Sequence, residues 1–158
     1  MALMWDGFLQ GLEFSTLGFA ARGSLWLYPL ANLTHVVGAS LLVGAVLVFD
    51  LLLLRSRFEL AAAISPVALG VSATGLALLL LSGPVMFSAE AAAFGRNPVF
   101  IAKMVLIVVG FANLAIYHCA RKRALLHPPV PPRARWHAGV SAGVWILAVI
   151  AGRSIAYF

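Results

Sequence analysis

Apolar residues run in four long stretches that carry almost no charge, separated by short polar hinges. The stretches fall at about 30–54, 66–87, 99–120 and 136–157, and each has the roughly 20 residues a helix needs to cross about 30 Å of hydrocarbon. Pro29, Pro66 and Pro98 stand at or just before the first three starts, where a missing N–H costs nothing. The run His127-Pro128-Pro129-Val130-Pro131-Pro132 predicts an extended polyproline-type linker in the third hinge. Ahead of the first span, Met4, Trp5, Phe8, Leu9 and Leu12 fall on one helical face and Asp6, Gln10 and Glu13 on the other. This predicts an amphipathic helix over about 2–20, lying on the outer membrane surface or packed on the bundle or a partner subunit. Gly38 with Ala45, Gly70 with Ala73 and Ala77, and Gly139 with Gly143 supply small faces for close helix approach. The expected fold class is an all-α integral membrane four-helix bundle, a single domain over 1–158.

Composition makes the bilayer the solvent. The chain is 63% hydrophobic and 10% charged, with a mean hydropathy of +1.01, whereas soluble folds keep roughly a quarter of their residues charged. The net charge of +6 is not a nucleic-acid footprint, because seven of the eleven basic residues (Arg55, Arg57, Arg121, Lys122, Arg123, Arg133, Arg135) sit in two hinges. By the positive-inside bias those hinges are cytoplasmic, and the hinge with Glu90 and Arg96 and both termini face outward. The expected location is the bacterial inner membrane, multi-pass, with periplasmic termini. No basic n-region precedes an apolar core at the start, so the first span is expected to act as its own uncleaved insertion signal. The cluster Arg121-Lys122-Arg123 is expected to meet anionic headgroups as well. The single cysteine, Cys119, forbids an internal disulfide.

Within this frame the polar residues inside the spans become the candidates for chemistry. A titratable ring in hydrocarbon is expensive and marks a functional-site hypothesis; His35 lies about five residues past the outer end of the first span, roughly 8 Å deep. Met86, Met104, Lys103 and Arg153 fall in the same outer layer. Asp50, Asn113, His118 and His137 form a separate inner layer. His35 and His118 differ in depth by about 20 Å and cannot share one iron, so a bis-histidine haem is open only to His118 with His137.

Three readings of His35 follow. It is a haem ligand with Met86 or Met104 as its partner, or part of a copper site in which one imidazole and two thioethers hold Cu(I). Otherwise it is a neutral histidine bonded to Asn32, Ser40 or a neighbouring helix. Lys103 and Arg153 would meet carboxylates such as haem propionates. Asp50 has two readings: pairing with Arg55, Arg57 or Arg135, or a proton relay through Asn113 and His118. For His118 and His137 an interfacial structural role is the alternative to haem. No phosphate loop, nucleophile elbow, CxxC or C-x-x-C-H motif is present, so any haem would be non-covalent.

The order of residues resembles a family of small bacterial four-helix inner-membrane proteins defined only as a domain of unknown function. The likeness rests on Leu12-Glu13, Leu17-Gly18, Arg22, Ser24 and Trp26-Leu27-Tyr28-Pro29 leading to His35. It continues through Val48-Phe49-Asp50-Leu51, Ser82-Gly83, Phe87, Asn97-Pro98, Phe100, Lys103, Asn113, Gly152-Arg153 and Ile155-Ala156-Tyr157. The family pattern often has Asp-Leu-Arg in the first span, where this chain reads Asp50-Leu51-Leu52. A more distant likeness to copper-resistance protein D and small b-type cytochromes rests on a helix of the form His, Gly, small, apolar. The resemblance implies a four-helix inner-membrane protein and no established activity. The leading expectation for function is therefore a redox-linked subunit that binds haem b or exchanges electrons with quinone. The alternatives are a copper-handling protein using His35, Met86 and Met104, and an accessory subunit without a cofactor that docks a membrane protein or a second copy.

Overall fold

The structure is a computed structural model that describes residues 2–124 and 134–157, with side chains described for 4–117 and 134–157. The expected polyproline linker at 127–132 lies outside the described residues, as do the side chains of His118 and of the basic cluster at 121–123. Every described element is helical: α1 (Ala2–Glu13), α2 (Thr16–Gly23), α3 (Leu27–Leu54), α4 (Phe58–Ala89), α5 (Ala91–Arg96), α6 (Pro98–Ala124), α7 (Ala134–Ser154) and a 3₁₀ turn (Ile155–Tyr157). Four helices are long and apolar enough to cross a membrane, which makes this a multi-pass membrane protein.

Local chemistry sets the helix ends. Pro98 opens α6, and Asn97 caps it by accepting from the N–H groups of Val99 (2.8 Å) and Phe100 (3.2 Å). Pro66 departs from the expectation: α4 already begins at Phe58, so Pro66 lies inside the helix, as does Pro84. Bonds from Arg57 N–H to the Leu52 carbonyl (2.9 Å) and from Ser56 N–H to that of Leu53 (3.0 Å) close α3 as a Schellman turn. That turn needs a left-handed residue, and Ser56 supplies it at φ 58° without being glycine.

The spans pack in the order α4, α3, α7, α6, and the two outermost, α4 and α6, scarcely touch. The tightest crossing is between α3 and α4. A Cβ on Gly38 would sit 2.8 Å from the Gly75 carbonyl oxygen, and one on Gly75 would sit 2.5 Å from the Leu42 nitrogen. Backbones meet there because burial of apolar area cannot drive association in lipid. Gly75, rather than the expected Gly70, is the partner: nothing lies within 4 Å of a Cβ placed on Gly70 or Gly143.

The N-terminal segment is two helices packed on the bundle, not one helix lying free on the membrane. Leu9 is fully buried against Gly95 of α5. Arg22 donates to the terminal carbonyls of α4 (Ala89, 2.8 Å) and α1 (Glu13, 2.6 Å), as a cation at helix C-termini should. The Glu13 carboxylate in turn accepts from the Ala92 N–H at the start of α5 (2.9 Å), and Asp6 pairs with Arg96 at 2.9 Å. Met4, Trp5 and Phe8 stay exposed, leaving an aromatic-rich rim for the membrane interface. These helices, with α5, cap one end of the bundle. There Phe87, Phe94 and Phe100 stack at centroid distances of 5.4 to 6.5 Å and join α4 to α6. Below that stack the two spans part.

Candidate functional site

His35 is half-buried on the α3 face that meets α4, one turn above the Gly38–Gly75 crossing. The close approach brings Ser82 within 2.9 Å of its Nδ1. The serine hydroxyl has one proton, and it goes to the Leu78 carbonyl of its own helix at 2.6 Å. Ser82 Oγ must therefore accept, and Nδ1 must carry the hydrogen. In the neutral ring the lone pair then sits on Nε2, because a bond at one nitrogen sets the role of the other. Among the described residues Nε2 has no hydrogen-bond partner, and it is not sealed from its surroundings. Gly83 lines the ring edge, where a Cβ would lie 3.6 Å from Cε1. The helix partner of His35 is thus Ser82; Ser40 instead bonds the Val36 carbonyl of its own helix.

Lys103 reaches inward from α6. Its Nζ lies 3.6 Å from the point where a Gly152 side chain would begin. It makes no hydrogen bond or ion pair among the described residues, and Arg96–Asp6 is the ion pair found there. The other expected members of this layer diverge. Arg153 is exposed and turned onto Tyr157, donating to its hydroxyl at 2.9 Å and stacking 5.1 Å from the ring centroid. Met104 is 44% exposed on α6, and Met86 is half-buried on α4. No hydrogen bond joins either sulfur to His35, and the described residues contain no group of three or more His, Cys, Asp or Glu able to hold a metal.

The inner layer is a second polar site, about 22 Å along α3 from His35 at 1.5 Å per residue. Asp50 is 5% exposed, and its Oδ2 has no partner. It makes no ion pair with Arg55, Arg57 or Arg135, contrary to the pairing expected from their spacing. Ser141 of α7 borders the same cavity as the Asp50 carboxyl. Asn113 bonds His137: its amide donates to the His137 carbonyl at 3.0 Å, and its Oδ1 lies 2.8 Å from the His137 Nδ1. These groups border a cavity of about 210 Å³ in the gap between α4 and α6.

Ser141 gave no signal in the sequence, and Ser82 stood out only within the resemblance, because a lone serine in an apolar helix usually bonds its own backbone. Ser82 does so too, and this very bond fixes the tautomer of His35. Comparison with known proteins adds no name: no protein-family model, curated protein or solved structure matches the chain.

Proposed function

We propose that the protein is a redox-linked subunit of the bacterial inner membrane that binds a quinone headgroup between His35 and Lys103. The capped end faces the periplasm, in accord with the basic hinges at the other end. The observation that carries the reading is the hydrogen-bond chain His35–Ser82–Leu78, which leaves Nε2 as an acceptor in an otherwise apolar layer. A quinol hydroxyl donates to such a nitrogen, and an ammonium donates to a quinone carbonyl or a semiquinone oxyanion. A quinol that is oxidised gives up two electrons and two protons. His35 takes one of those protons at Nε2, the other leaves to water at the capped end, and a redox centre in a partner protein takes the electrons. His35 and Lys103 supply one acceptor and one donor for the two oxygens of the headgroup.

A b-type haem would use the same Nε2 as its axial ligand, with Lys103 at a propionate. It ranks second because Met104 stands on the exposed side of α6 and Arg153 is engaged by Tyr157. The copper reading ranks behind it for want of gathered thioethers. Titration of decylubiquinone into the protein in lipid nanodiscs tests the proposal, with an optical spectrum before and after dithionite and a metal analysis on the same sample. Saturable binding weakened at least tenfold by His35→Ala and by Lys103→Gln is expected. A Soret band lost in His35→Ala would replace quinone with haem, and near-stoichiometric copper without that band would replace it with copper. Absence of all three leaves His35–Ser82 as a structural tie between α3 and α4.

A further inference from the structure

The inner cavity holds an unanswered carboxyl. We infer that it is a binding site for an amphipathic organic ammonium ion, taken up in exchange for the proton of Asp50. A lone carboxylate is costly inside an apolar bundle, and among the described residues no Lys or Arg borders the cavity beside Asp50. Own-helix neighbours Leu42, Val46, Phe49 and Leu53 are apolar; α4 offers the hydroxyls of Ser65 and Ser72; α6 offers Asn113 and Tyr117; and α7 offers His137 and Ser141. His137 is the one titratable base among them, and its Nδ1 is engaged by Asn113. The counter-charge of Asp50 is therefore either its own proton or a ligand.

The walls favour an organic cation over a bare one. A metal ion or Na⁺ needs several oxygen ligands around it, and the cavity lining is mainly apolar. Phe49, Phe111, Tyr117 and Trp145 border the same space, and aromatic faces attract a quaternary or primary ammonium through their quadrupoles. The indole of Trp145 is seated edge-on to Phe111 (centroids 5.8 Å apart), and Phe49 meets Tyr117 in the same way at 6.4 Å, so these rings form a preformed wall. A volume of about 210 Å³ suits a ligand of one ring and an ammonium head. The gap between α4 and α6 faces the bilayer, from which an amphipathic cation partitions. Exchange conserves charge: one ammonium enters, the Asp50 O–H bond breaks, and one proton leaves.

The test uses the full-length protein in nanodiscs with benzyltrimethylammonium as the probe and neopentylbenzene as its uncharged isostere. Calorimetry should show saturable binding of the cation, and a weakly buffered sample should release close to one proton per cation bound. Asp50→Asn preserves shape and should weaken cation binding at least tenfold and abolish proton release. Ser72→Leu leaves the carboxyl in place but fills the cavity, and should also weaken binding. Thermal unfolding of each variant separates loss of the site from loss of the fold. The inference is overturned if the wild type shows no saturable binding, if the isostere binds as well as the cation, or if folded Asp50→Asn binds as the wild type does.

Discussion

Replacing Gly75 by alanine tests the link between helix packing and the histidine site. The added Cβ would lie 2.5 Å from the Leu42 nitrogen and 2.6 Å from the Gly38 carbonyl oxygen, where ordinary contact begins at 3.4 Å. Both obstacles are backbone and cannot swing aside, so α3 and α4 must separate by about 0.9 Å at the crossing. Overpacking of this kind costs about 1–3 kcal/mol. The separation carries upward. His35 is one turn from Gly38, and Ser82 is two turns from Gly75, so their 2.9 Å bond stretches towards about 3.8 Å and ceases to be a hydrogen bond. Circular-dichroism melting in detergent should show a lower midpoint for Gly75→Ala, and nitrogen NMR should show His35 losing its fixed Nδ1–H tautomer. Gly70→Ala, with nothing within 4 Å of the new carbon, is the control and should melt at or slightly above the wild-type midpoint. A Gly75→Ala protein as stable as that control, with His35 unchanged, would refute the backbone contact and its coupling to the site.

Three further substitutions probe the ends of the bundle. Ser56→Gly should stabilise the protein by roughly 1 kcal/mol in the same melting assay, because Ser56 holds a left-handed φ of 58° that glycine adopts freely. Asn97→Ala removes the cap of α6 and should cost about 1 kcal/mol, with faster amide exchange at Val99 and Phe100. Leu9→Ala empties the contact with Gly95 and should loosen the cap by about 2–5 kcal/mol. In hydrogen-exchange mass spectrometry residues 2–23 should then exchange rapidly while α3 and α4 stay protected. Protection of 2–23 equal to wild type would mean that Leu9 does not hold the cap down.

What could be read from the chain depended on the range of the interaction. Four spans, their hinges and the Asn97-Pro98 start of α6 follow from local composition and capping chemistry, and the helices appear where the pattern puts them. The start of α4 does not, because Pro66 resembles a first-turn proline whereas the helix begins about two turns earlier at Phe58 and passes through it. The separation of His35 from the inner layer needed nothing beyond the helical rise. Partner choice was another matter. Asn113 could be placed at the right depth, but its bond to His137 depends on how α6 packs against α7. Asp50 was expected to reach the arginines one turn away, yet it is buried and borders the cavity shared with Ser141 of α7. Arg22 stood out only through a resemblance and Glu13 only through that and the polar face of its helix; in three dimensions they bind the ends of α1, α4 and α5 together.

The measurement that bears most directly on the central claim is the nitrogen NMR spectrum of histidine-labelled protein in nanodiscs, recorded with and without decylubiquinol. His35, identified by its loss in His35→Gln, should show a protonated Nδ1 and a bare Nε2 whose resonance shifts on adding the quinol, while Ser82→Ala should remove the fixed tautomer. A proton on Nε2 in the ligand-free protein, or a bare Nε2 that ignores saturating quinol, would contradict the account.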